Sequence, residues 1–93
     1  MTFNAKEIEN ITILAKEVEG LEALLDFEWD GYFDRKAIAE RYGFSIPVFE
    51  GSTDAAFKAT WQRLVAACKG DEALAREVTG VDPSYLEYTF KLI

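Results

Sequence analysis

NAKEIENITILAKEVEGLEALL, residues 4–25, is the stretch on which the fold of this chain turns. Ile11, Leu14, Val18, Leu21 and Leu25 recur at spacings of three and four, which puts them on one face of a helix. Asn4 followed by Glu7 is close to a capping-box pattern and marks where that helix starts. Gly20 interrupts the stripe. It is the expected point of a break or bend, because glycine costs about 1 kcal/mol against alanine inside a helix.

Helix signals continue downstream. Asp34 precedes a helix over 35–42, and Gly43 stands where a left-handed residue is wanted. Residues 44–50, with Pro47, read as a brief extended segment or a single turn. Ser52 or Thr53 caps the clearest helix, whose face carries Phe57, Trp61, Leu64 and Cys68 and which Gly70 closes. Asp71 caps 72–79, which stops at Gly80. Asp82-Pro83 starts a last helix with Tyr85, Leu86, Phe90 and Ile93 on its apolar side. The similarity between 37–45 and 73–82 is what any helix–turn–helix corner requires, and is no repeat.

Residues 25–33 read two ways. Leu25, Phe27 and Trp29 alternate with Asp26, Glu28 and Asp30, and Asp30-Gly31 is a tight-turn pair, so a hairpin fits. Only Tyr32 and Phe33 are left for a returning strand, which favours a loop. The expected fold is therefore mainly α: one domain, residues 1–93, a small bundle of four to five helices. A short β-hairpin at 25–33 or a strand at 46–49 would be the local exceptions.

Composition narrows the function. The hydrophobic fraction of 49% and charged fraction of 29% suit a globular chain. No run approaches the roughly 18 apolar residues of a membrane span. No secretory leader is evident, and a lone Cys68 makes no internal disulfide, so a cytoplasmic location is expected. Without histidine there is no Ser-His-Asp or Cys-His pair and no histidine metal ligand. With no glycine-rich phosphate loop either, neither a cofactor nor enzymatic activity is expected. The net charge is −7, and residues 1–34 hold nine acids against Lys6 and Lys16. Such asymmetry repels nucleic acid and anionic lipid and attracts basic protein surfaces. A DNA-reading helix is not expected, since 46–51 supplies no Arg, Lys, Asn or Gln.

One segment stands out. Asp26, Glu28, Asp30 and Asp34, with Gly31, resemble the first nine positions of an EF-hand calcium loop, with acids at one, three, five and nine and glycine at six. Apolar Phe33 stands at the eighth position. The twelfth position is Ala37 where the family has a bidentate glutamate, and Phe27 and Trp29 are bulky. The resemblance implies a calcium-binding or degenerate EF-hand-like module at 26–34. The same residues also form an aromatic–acidic patch of the kind that anchors protein interfaces. Phe27 and Phe33 are expected to point inward, and Trp29 and Tyr32 outward. The expected partner-binding set is Glu22, Asp26, Glu28, Trp29, Asp30, Tyr32 and Asp34.

The leading functional expectation is a small acidic protein-binding module, an inhibitor or adaptor engaging a basic surface of a partner protein. A phage- or plasmid-type inhibitor of a nucleic-acid-handling enzyme would have this character. The alternatives are the calcium module and an accessory helical subunit of a larger enzyme. Tyr88–Ile93 offers a surface for docking or for a homodimer.

Overall fold

A computed structural model describes residues 2–80. Among them are four helices and no strand: α1 (Ala5–Trp29), α2 (Arg35–Tyr42), α3 (Thr53–Ala67) and α4 (Glu72–Thr79). The helix expected from Asp82, and Tyr88–Ile93, lie outside the described residues.

α1 is the spine, about 37 Å long at 1.5 Å per residue. Its capping box is complete. Asn4 Oδ1 accepts from the Glu7 backbone N–H at 2.9 Å, and Glu7 Oε1 accepts from the Asn4 N–H at 3.1 Å. That Asn4 N–H, and secondly the Lys69 ammonium 3.4 Å from Glu7 Oε2, hold the Glu7 carboxyl below its ordinary value of 4.5, with some desolvation opposing them. A folded-state value below the unfolded one stabilises the protein above about pH 4.5, and this is lost as pH falls through the folded value. In an NMR titration Glu7 should show a depressed midpoint. Lys69→Ala should raise it only part of the way, because the larger cause is the backbone donor.

The inner side of α1 carries the core. Ile11, Ala15, Val18 and Leu21 pack against Phe57, Trp61, Leu64 and Cys68 of α3 and its C-terminal cap and against Ala75 of α4. Burying each large member contributes about 1.5–3 kcal/mol. Burial also pushes the Cys68 thiol up from its ordinary pKa, with Asp71 adding to the effect. As expected from its place on the apolar face, this cysteine is a core residue.

Gly20 does not break the helix, which runs through it from Ala5 to Trp29. It is buried because the 44–46 segment crosses α1 there, and a methyl group at position 20 would overlap the Ser45 carbonyl oxygen. The obstacle is backbone, with Ile46 Cγ1 3.3 Å away on the same side, so it cannot swing aside. Gly20→Ala should therefore cost roughly 1–3 kcal/mol by overpacking, against a helix-propensity gain of about 1 kcal/mol. Urea titration should show a net loss; a net gain would mean that the crossing is loose.

The hairpin at 25–33 does not form, and neither does a loop over that whole stretch. α1 runs on through Trp29. Gly31, at φ 94°, is the left-handed residue that ends it. The Gly31 N–H donates to Glu28 O at 3.0 Å and the Tyr32 N–H to Phe27 O at 2.9 Å, the two bonds of a Schellman motif. Asp30-Gly31 is thus a helix stop. The short strand that 46–49 could have formed is also absent: 44–50 is irregular, with Ile46 and Phe49 half-buried against the core.

Candidate protein-binding surface

The corner between α1 and α2 is built from the α1 stop and the α2 start. Asp34 Oδ1 accepts from the Ala37 N–H at 3.1 Å and begins α2, leaving only 30–34 between the helices. Phe27 turns toward α2, its ring 4.9 Å from Tyr42 and edge-on to Tyr32 at 6.3 Å. Tyr42 in turn stacks on Phe44 at 5.9 Å. This small aromatic cluster, with buried Ile38, holds α2 on the end of α1.

The outside of the corner is aromatic. Trp29 is 85% exposed, Phe33 71% and Tyr32 64%, with Val48 fully exposed on the segment beyond α2. Trp29, Tyr32 and the half-buried Phe27 stand as expected; Phe33 does not point inward. The left-handed turn at Gly31 and the capping role of Asp34 keep 32–34 on the surface. Phe33 and Asp34 form the ridge between two shallow depressions. One, of about 570 Å³, lies over Phe27, Tyr32, Ala37 and Tyr42. The other, of about 500 Å³, lies over Arg35, Ser52 and Thr53. Phe33, Tyr42 and Val48 were missed as candidates in the sequence. The usable signal was Asp30-Gly31 followed by an apolar residue, with Phe27 five positions before Tyr32, which is the Schellman signature.

No family model, curated protein or solved structure matches this chain.

The carboxylates divide into two groups. Glu19, Glu22, Asp26 and Asp30 follow spacings of three, four and four, within about 80° of arc on α1. Asp26, Asp30 and Asp34 are exposed, and no cation lies within ion-pair distance of them among the described residues. Glu22 is half-buried and engaged in an interaction of its own. Glu28 is turned to the opposite side, where it accepts from Thr53 Oγ1 at 2.6 Å and pairs with Arg35 Nε at 3.8 Å. Arg35 also donates to Gly51 O at 2.8 Å and lies over the Phe49 ring at 4.2 Å. Glu28 therefore ties α1 to the start of α3 and, like Asp34 at the cap of α2, is spent at least in part on the fold. Glu7 is likewise paired, with Lys69, and Glu9 and Glu17 fall on other faces of α1. Within the first third of the chain the acids that share one side are therefore fewer than the nine in the sequence: Glu19, Glu22, Asp26 and Asp30 along α1 and its cap, with Asp34 just beyond.

As calcium ligands the four acids do not come together. Asp26 and Glu28 sit on a helix, about 200° apart around its axis at 100° per residue. Among the described residues, no group of three Asp, Glu or Cys side chains is placed to hold a metal ion. No helix among the described residues is long and apolar enough to cross a membrane.

The acids are also at the wrong end of their helix. The last turn of α1 contains no basic residue, while Asp26 and Glu28 sit in it and Asp30 caps it. Carboxylates near a helix C-terminus oppose the helix dipole by about 0.3–1 kcal/mol each. Glu22–Asp26 and Asp26–Asp30 are like-charge pairs four apart, which add to that cost. Trp29 and Phe33 are exposed and add nothing to the core, and Tyr32 offers only an edge contact to Phe27. A departure from local rules with no local compensation is where function is to be sought.

Proposed function

We propose that this chain is a small acidic protein-binding module that docks a basic surface of a partner protein through the corner between α1 and α2. The observation that carries the reading is the coincidence, on one corner, of three exposed aromatic rings (Trp29, Tyr32, Phe33) with three exposed carboxylates (Asp26, Asp30, Asp34). Aromatic anchors supply affinity, and the surrounding acids steer a cationic partner and reject anionic ones. A surface of this kind suits an inhibitor or adaptor that covers a groove meant for phosphates.

The test starts from the tagged full chain in an extract of its native host. A retained basic protein, once purified, should bind with an affinity that falls at least about tenfold between low and high salt, a change of 1.4 kcal/mol. Trp29→Ala should leave folding stability within about 0.5 kcal/mol of the parent. The same substitution should cost about 2 kcal/mol in binding, the scale of an interface anchor. Salt-independent binding that survives Trp29→Ala would remove the proposal.

A further inference from the structure

One face of α2 closes the depression over the ring cluster. Asp34, Ala37, Ile38 and Arg41 share that face by their spacing and form one wall of the depression of about 570 Å³. Phe27 and Tyr32 form another, their rings at 82° to each other, with the Tyr42 ring 4.9 Å from that of Phe27. The middle is therefore apolar, and its walls are rings packed on one another. The two ends carry opposite charge. Asp34 and Arg41, seven residues apart, stand about 10 Å from each other along the helix axis. The Asp34 carboxylate keeps acceptor capacity beyond the one bond it accepts from the Ala37 N–H. Asp30, at the cap of α1, adds a second exposed carboxylate four residues before it. The Arg41 guanidinium lies 5.5 Å over the Tyr42 ring, and among the described residues no carboxylate is within ion-pair distance of it.

We propose that the depression takes one uncharged, leucine-sized side chain of the partner, with lysines or arginines next to it in the partner's chain meeting Asp30 and Asp34. The proposal rests on the corner being a docking surface for a basic protein, and it names what that protein presents. Charge complementarity sets the flank, because two exposed carboxylates border the Asp34 end. Rings alone would not set the anchor, since an aromatic wall attracts a cation as well as an apolar group. Arg41 decides between them. Its uncompensated charge at the edge of the depression repels a lysine or arginine entering there and leaves an aliphatic side chain unaffected. The partner's cations are thus sent to the Asp34 end and its apolar group to the rings.

The test follows the amide spectrum of the isotope-labelled full chain during titration with three capped synthetic peptides. Each has two lysines, then a variable residue, then two glycines; the variable residue is leucine, serine or arginine. The leucine peptide should shift the amides of Tyr32, Ala37 and Tyr42 and bind about tenfold more tightly than the serine peptide. It should also bind more tightly than the arginine peptide, despite that peptide's extra charge. Ala37→Leu, at an exposed position, fills the depression and should erase the preference for leucine over serine while the melting temperature holds. Arg41→Gln should narrow the gap between the leucine and arginine peptides severalfold by strengthening the arginine peptide. Equal affinities for leucine and serine, with salt-dependent shifts at Asp26 and Asp30, would overturn the anchor and leave the acidic docking surface standing. A leucine preference that survives Ala37→Leu, or an arginine peptide unaffected by Arg41→Gln, would overturn the anchor as well. So would the absence of any shift at Tyr32, Ala37 and Tyr42; the docking surface itself is judged by Trp29→Ala on the recovered protein.

Discussion

Phe57→Ala is expected to cost about 3–5 kcal/mol, a large part of the stability of a chain this size, which at 0.05–0.15 kcal/mol per residue is of order 5–14 kcal/mol in total. Phe57 is completely buried at the centre of the contact between α1 and α3, among Val18, Leu21 and Leu64, which are completely buried too. The ring can be neither replaced by water nor closed over by a helix that Gly20 already presses against the 44–46 segment. Removing it leaves a cavity that the surroundings fill only in part. Val48→Ala, at a fully exposed position, should stay within about 0.5 kcal/mol of the parent. Urea midpoints of the two variants give the comparison. A loss below 1 kcal/mol at Phe57 would mean that α1 and α3 do not share a core.

The second large effect is at Asp26, where stability and binding should move in opposite directions. Asp26→Lys replaces two like-charge pairs, with Glu22 and with Asp30, by two opposite-charge pairs at the same spacing. It also puts a cation in the last turn of α1, which now has none. At a few tenths of a kcal/mol for each pair and up to about 1 for the dipole, the folded state should gain roughly 1–2 kcal/mol at low salt. Partner affinity should fall about tenfold or more, since the local charge changes by two on the face that meets a basic surface. A loss of binding caused by misfolding would lower the melting temperature; here it should rise. Natural chains hold such unfavourable charges where activity requires them.

Much of the helical frame was legible because it is written in local chemistry. Asn4 with Glu7, Asp34, Ser52 and Asp71 start helices, and Gly43 and Gly80 stop them by adopting left-handed backbone. Phe57, Trp61, Leu64 and Cys68 share a face because their spacing leaves no alternative. What escaped the sequence depended on contacts between distant segments. Gly20 looks like a helix breaker until the Ser45 carbonyl is placed against it, and only then is its lack of a side chain a packing requirement. The alternation in 25–30 suits a strand, but six residues cannot choose their period alone. Phe27 is drawn into the ring cluster with Tyr42, which lies well beyond the end of any hairpin strand it could have joined, and this carries the helix on. At the candidate surface, Trp29, Tyr32 and the acids of 26–34 were legible as a group. Glu28 could not be told from Asp26 and Asp30 until helix geometry sent it toward Thr53 and Arg35. Phe33 was misplaced for the same reason: the turn at Gly31 decides which ring faces out.

The most direct test of a corner arranged for a partner rather than for its own stability is the affinity of Asp26→Lys for the recovered basic protein, measured beside the parent at low salt on samples whose melting temperatures are known. A variant that melts higher and binds at least about tenfold more weakly is the predicted result. A variant that binds as tightly as the parent, at whatever melting temperature, would contradict the account.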